Sequence, residues 1–118
     1  MEKKIEELNG FRDLRIVDNF YQTSSFFPMP TTEIGTLSED GQTNIGSYSL
    51  CFPYYIAGKD YYAMVLCCRN SSNTAKNILR TGKCSINFIT DKRKYFKEAV
   101  RLGYPGETTE EKMKDCIF

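Results

Sequence analysis

An unbroken apolar run at residues 61–68, Tyr-Tyr-Ala-Met-Val-Leu-Cys-Cys, constrains this chain more than any other feature. Gly58-Lys59-Asp60 closes it off on one side and Arg69-Asn70-Ser71 on the other. Eight residues are too few for a typical buried helix, and the run has no charged residue to turn toward water. It predicts a strand buried on both faces, with other strands beside it. The flanking sequence offers them. Residues 33–37 and 43–50 read as strands joined by Ser38-Glu39-Asp40-Gly41-Gln42, where Asp-Gly supplies positive φ at low cost, so a β-hairpin is expected. Pro53 is expected to end the pairing, and Gly58-Lys59-Asp60 to mark the next turn.

Helical spacing takes over after the run. Residues 72–80 predict a short helix with Ala75, Ile78 and Leu79 on one face and Gly82 as its stop. A strand follows at 84–89, where Cys84, Ile86 and Phe88 alternate with Ser85 and Asn87. Residues 91–102 predict an amphipathic helix with Phe96, Ala99 and Val100 on one side and Gly103 closing it. Thr108-x-x-Glu111 is a capping-box pattern that opens a last helix. At the other end, Ile5 and Leu8 suggest a short helix over 2–9, and the aromatic stretch from Phe20 to Pro28-Met29-Pro30 reads as an extended lead-in. Short strands with helices attached, in one domain of 118 residues, point to a small barrel or sandwich.

Absences narrow the chemistry. The chain has no His, which removes the Ser-His-Asp triad, the Cys-His dyad and imidazole metal ligands. Sixteen basic residues balance fifteen acidic ones, which argues against nucleic-acid binding by the whole surface. No apolar run has the length of a membrane span, and the charged start MEKKIEELNG lacks the apolar core of a signal peptide. The five cysteines, Cys51, Cys67, Cys68, Cys84 and Cys116, form no Cys-x-x-Cys pair. Four sit in apolar surroundings, so reduced core thiols in a cytoplasmic protein are expected. The apolar end, Cys116-Ile117-Phe118, predicts an exposed or swapped segment, because chain ends are usually polar.

Charge is unevenly placed. Between residues 61 and 90 there is no Asp or Glu, while Arg69, Lys76, Arg80 and Lys83 all fall inside. At the centre lies Arg69-Asn70-Ser71-Ser72-Asn73-Thr74, between a strand and a helix N-terminus. Unpaired N–H groups and the positive end of the helix dipole suit an anion there, and Arg69 can contact a phosphate through two N–H groups. Plain capping by Ser71 or Ser72 explains the hydroxyls equally well. A second segment, Asn44-Ile45-Gly46-Ser47-Tyr48-Ser49-Leu50-Cys51, is rich in small residues, where a flat ligand could approach the backbone. A strand with one wet face is the commoner use of such a sequence.

Together these segments resemble the flavin reductase-like, FMN-binding split-barrel family. The resemblance runs from about residue 28 to about residue 100. It rests on Pro28-Met29-Pro30, the hairpin from Ile34 to Asn44, Ser47-Tyr48-Ser49-Leu50-Cys51-Phe52-Pro53, the strand ending at Cys68, the Arg69 to Ile78 segment, and Thr81-Gly82-Lys83-Cys84-Ser85-Ile86-Asn87-Phe88. It implies a fold that is mainly β with peripheral helices, an FMN-binding split β-barrel lacking the family's C-terminal strands. It further implies a homodimer with FMN near the interface, reduced by NADH or NADPH and passing electrons to a partner. Ser47, Tyr48, Ser49, Leu50 and Cys51 would line the isoalloxazine ring. Arg69, Asn70, Ser71, Ser72 and Thr74 would hold the phosphate. The family has an apolar run where this chain has Thr31-Thr32-Glu33, so Glu33 is expected to face solvent or the ring's edge. An electron carrier without turnover, or an interaction domain without cofactor, would use the same scaffold. Redox sensing through Cys67-Cys68 is disfavoured, because neighbours on a strand point to opposite faces.

Overall fold

The computed structural model describes residues 29–56, 58, 59 and 61–118. The expected helix at 2–9 and the lead-in up to Pro28 lie outside the described residues.

The Asp-Gly turn forms as the sequence predicts. Strands β1 (Thr32–Leu37) and β2 (Thr43–Tyr48) pair antiparallel, from Thr32 opposite Tyr48 to Leu37 opposite Thr43. Gly41 has φ +82°, and its N–H donates to the Ser38 carbonyl at 3.1 Å. Strand β5 (Ser85–Phe88) takes the other edge of β1, so the sheet order is β2-β1-β5. Directly opposed residues share a face. Glu33 thus lies between Ser47 on β2 and Asn87 on β5, while Ile34 lies between Gly46 and Ile86 on the other face.

After a two-residue break at Ser49-Leu50 the chain leaves this sheet. Strands β3 (Cys51–Ile56) and β4 (Tyr61–Leu66) make a separate ribbon, in register from Cys51–Leu66 to Ile56–Tyr61. Pro53 does not end the pairing; it sits mid-strand opposite Met64. The Cys67 N–H donates to the Leu50 carbonyl at 2.9 Å, which makes Leu50–Cys67 a bonded pair. Bonded and non-bonded pairs alternate along an antiparallel ladder. Pro53 therefore falls on a non-bonded pair, where its missing N–H would have faced outward. The apolar run forms its strand, but it is not buried on both faces: Tyr61, Tyr62 and Met64 are exposed, as are Phe52, Tyr54 and Tyr55 across from them. Of the described ribbon residues only Cys51, at its start, is buried.

Three helices complete the domain: α1 (Asn73–Thr81), α2 (Arg93–Gly103) and α3 (Thr109–Met113). α1 starts at the Ser72 cap and stops at Gly82, which has φ +65° and donates its N–H to the Ile78 carbonyl at 2.7 Å. Its buried face carries Thr74, Ala75 and Asn77. Leu79 instead points outward and is 85% exposed. The reason lies in the sheet, which presents Thr36 and Asn44 to α1. Asn77 Nδ2 donates to Thr36 Oγ1 at 3.1 Å, and Asn44 Nδ2 contacts Thr36 Oγ1 at 3.3 Å and Thr74 Oγ1 at 3.4 Å. α2 is likewise rotated from the expected face. Glu98, Ala99 and Leu102 are buried, whereas Phe96 and Val100 are exposed. The Arg101 guanidinium grips Glu98 at 2.6 and 3.0 Å and donates to the Lys112 carbonyl at 2.9 Å, tying α2 to α3. The Thr108–Glu111 capping box opens α3 as predicted.

The architecture is thus a small mixed α/β domain with two antiparallel sheets, rather than mainly β with helices at its rim. No barrel closes among the described residues, because no strand of the ribbon pairs with the three-stranded sheet. All five cysteines are free, but where four core thiols were expected only Cys51 is buried; Cys68 and Cys116 are half-buried, and Cys67 and Cys84 are exposed. The last residues dock on α2: Ile117 N–H donates to Glu98 Oε1 at 3.3 Å, and the Phe118 ring stacks on Tyr95 with centroids 5.6 Å apart. No described helix is long and apolar enough to cross a membrane.

Candidate functional site

The strand-to-helix segment forms a tight turn. The Ser72 N–H donates to the Arg69 carbonyl at 2.9 Å, which puts Asn70 and Ser71 at the tip. Ser72 is the helix cap, its Oγ accepting from the Ala75 N–H at 3.1 Å. The Lys76 N–H is taken by the Ser72 carbonyl at 3.1 Å. The amides of Asn73 and Thr74 have no acceptor among the described residues, as expected of a first helical turn. Arg69, Asn70 and Ser71 are exposed beside them. Thr74 differs: its side chain is 2% exposed and its Oγ1 packs beside Asn44 Nδ2. The basic window divides along α1. Arg69 and Lys76 lie at the start, whereas Arg80 sits at the far end and donates to the Leu37 carbonyl.

The second segment covers the end of β2, the break and the start of β3. Ser47 Oγ donates to Glu33 Oε2 at 2.6 Å, and the Tyr48 carbonyl accepts from Thr32 Oγ1 at 2.8 Å. Ser49 and Leu50 are exposed, and Cys51 is buried. Gly46 is not open to a flat ligand as its small size suggested. A Cβ there would lie 2.8 Å from Thr74 Oγ1 and 2.9 Å from the Tyr48 ring, so the glycine is required by packing inside the chain. The same contact brings the two segments together. Thr74 seats on Gly46, and Cys67 bonds to Leu50 on the ribbon side. Arg69–Ser72 and Ser49–Leu50 thus flank one junction between sheet, ribbon and helix.

No family model, curated protein or solved structure matches this chain.

At Glu33, expected to face solvent or the ring's edge, the structure corrects the sequence reading. Glu33 faces neither solvent nor an open edge; it is 3% exposed, in the central strand. Oε2 accepts from Ser47, and Oε1 has no partner among the described residues. Glu33 lines a cavity of about 490 Å³ together with Ile45, Asn87, Phe88, Ile89, Thr90, Tyr95, Ile117 and Phe118. Burial pushes the Glu33 carboxyl above the usual carboxylate range. The Ser47 hydroxyl pulls the other way, Glu98 adds to the rise, and Lys112 opposes it. Nearby Glu98 moves oppositely: the Arg101 hydrogen bonds hold it below its ordinary value despite burial. Lys112 is itself buried, and desolvation lowers its pKa. The sequence signal was the charged residue at a strand start, where parity with Gly35 and Ser47 decides the face.

Proposed function

We propose that this chain is an FMN-binding flavoprotein of the flavin reductase-like, split-barrel kind, working as a cytoplasmic homodimer that takes hydride from NADH or NADPH. The observation that supports this most is the junction where the Arg69 turn meets the Ser49–Leu50 break through the Thr74–Gly46 contact. The donor set suits a phosphate: an exposed arginine, the polar tip Asn70-Ser71, and two free amides at the start of a nine-residue helix. Arg69, Ser71 and the N–H groups of Asn73 and Thr74 would hold the phosphate. The Ser72 hydroxyl shapes the turn, and the buried Thr74 hydroxyl positions the helix against Gly46. Backbone groups of the exposed Ser49 would meet the ring, the Leu50 carbonyl being taken by the Cys67 N–H. Bound flavin would supply the redox chemistry, accepting a hydride and passing electrons on. The chain's own work is to bind and orient it, which requires no histidine.

The ribbon fits the homodimer. Both of its faces are apolar and exposed, and a lone two-stranded ribbon is marginally stable in water. A second copy of this chain, bringing an identical ribbon, would cover it by two-fold symmetry.

The test is the visible spectrum of the purified full chain, followed by titration with FMN. The expected result is a flavin spectrum on reconstitution, with Arg69→Ala weakening FMN binding about tenfold to a hundredfold, the loss of a charge-assisted hydrogen bond of roughly 1.5–3 kcal/mol. A chain that takes up no FMN would overturn the flavoprotein assignment. Bleaching by NADH or NADPH would support reductase activity. Bleaching by dithionite alone would favour an electron carrier.

A further inference from the structure

Helix α2 is an outer layer of the domain. It sits over the sheet face that carries Glu33 and Ser47: a Cβ on Gly103 would lie 3.9 Å from Ser47 Cβ, and Tyr95 lines the same cavity as Glu33. α1 bonds to Thr36, which has the parity of Ile34, so it covers the opposite face. Glu98, Ala99 and Leu102 form the inner side of α2, and its outer side points away from the body. That outer side is built from two i, i+4 pairs, Arg93 with Lys97 and Phe96 with Val100, which three-residue spacings join into one patch. Phe96 is 46% exposed and Val100 61%, and both cations beside them are exposed.

The charges on this helix run against its own dipole. Its cap is Lys92, which makes no side-chain cap bond, and its first turn holds no acid. Lys92, Arg93 and Lys94 crowd the end where a helix prefers negative charge. Lys92 and Lys94 are exposed, with their ammonium groups 6.0 and 4.9 Å from the centre of the Tyr95 ring. Asp91 lies just ahead of the cap, and from residue 92 to 106 the one acid is Glu98, buried and bound to Arg101. The outer side therefore joins four exposed cations to an exposed aromatic ring and a branched aliphatic side chain.

We propose that this face of α2 docks on an anionic phospholipid bilayer, with the helix lying along the interface. Headgroup phosphates meet Lys92, Arg93, Lys94 and Lys97 and relieve their repulsion at the helix start, while Phe96 and Val100 enter between the headgroups. A nucleic-acid backbone offers the anions but no apolar layer for Phe96 and Val100. The outer side of a single helix is convex and gives a peptide no groove. A bilayer surface supplies both the negative charge and the apolar layer beneath it. Docking here does not depend on the flavin assignment.

The experiment uses the full chain with two kinds of vesicle, one of equal phosphatidylcholine and phosphatidylserine, the other of phosphatidylcholine alone. Flotation is expected to carry the chain with the anionic vesicles and to leave it behind with the neutral ones. Arg93→Gln with Lys97→Gln is expected to weaken that binding about tenfold or more, as two cations near an anionic surface are lost. Phe96→Ser with Val100→Ser is expected to weaken it by about fivefold or more at unchanged charge. Both double variants should take up FMN as the parent does, so lipid docking and the flavin assignment are read in separate assays. Equal binding to the two vesicles, or binding to neither, would overturn the proposal. So would binding unmoved by either double variant, or tighter binding to duplex DNA or polyglutamate than to anionic vesicles. Should a double variant fail to fold, raised salt on the parent chain decides: vesicle binding that does not fall would overturn the proposal.

Discussion

The three-stranded sheet with its helices and the β3–β4 ribbon handle polarity in opposite ways. Around the sheet, buried positions hold Thr32, Glu33, Thr36, Asn44, Thr74, Asn77, Glu98 and Lys112, against only five buried apolar residues among those described. The ribbon leaves Phe52, Tyr54, Tyr55, Tyr61, Tyr62 and Met64 in water. Apolar burial is non-directional and scales with area. A hydrogen-bonded interior is directional, and each broken bond leaves an unpaired buried group. The body is therefore fixed by the geometry of a few polar contacts. The ribbon instead keeps large apolar side chains exposed, away from that polar interior.

The sharpest way to break this contrast is to charge the ribbon. Under the proposed homodimer, Tyr62→Asp with Met64→Asp should leave the body folded and weaken self-association by more than about a hundredfold, since an unpaired charge buried at an interface costs roughly 3–5 kcal/mol. Sedimentation velocity checks it; a parent chain that stays monomeric at high concentration would show that the ribbon is covered by something else. Next comes Asn44→Ala, which removes the amide between Thr36, Thr74 and Thr109. Loss of about 2–3 kcal/mol is expected, as buried groups lose their partners. A change in denaturation midpoint worth less than about 0.5 kcal/mol would mean that the polar core is dispensable.

Glu33→Gln should act with the other sign and depend on pH. A carboxyl whose pKa is raised on folding favours the folded state only while protonated, so stability falls as pH rises from the ordinary carboxylate range through the raised value. The amide variant escapes that loss. It should be more stable than the parent by about 1–2 kcal/mol at pH 8, the cost of a buried polar group, and equal to it at pH 3. Melting curves at the two pH values check this; a deficit at pH 8 would show that the carboxylate is paired in solution. Glu98 runs the opposite way: held low by Arg101, it stabilises the fold above the ordinary carboxylate range and loses that contribution as acid protonates it. The smallest effect is expected at Thr108→Ala, about 1 kcal/mol for a lost helix cap, read from the loosening of α3 in amide exchange.

Local chemistry made the elements legible and left burial obscure. Asp40-Gly41, Ser72, Gly82 and the Thr108–Glu111 box each act within a few residues, and each turn or cap formed where the sequence predicts it. Which face is covered depends on partners far along the chain. Helical spacing grouped Phe96, Ala99 and Val100, but the Arg101 pairing and the docking of Ile117 draw Glu98 inward and turn Phe96 and Val100 out. The run at 61–68 was legible as a strand, yet its exposure follows from the ribbon separating at Ser49-Leu50, which no periodicity encodes. At the candidate site, Arg69 to Thr74 stood out because a polar cluster interrupts apolar sequence. Glu33 stood out too, but its burial was not legible, because its partners Ser47 and Asn87 lie 14 and 54 residues away.

Pro53 sets the direction in which the ribbon can grow. The outward-facing positions of β3 are Cys51, Pro53 and Tyr55, and the middle one offers no N–H. On β4 the outward positions Tyr62, Met64 and Leu66 keep their donors. An incoming strand can complete a ladder along β4 and finds a gap along β3. Two copies joined through β4 would present only their β3 edges to the next, so such an assembly would close at a pair. One proline would thus let an exposed aromatic ribbon pair once without seeding a fibre.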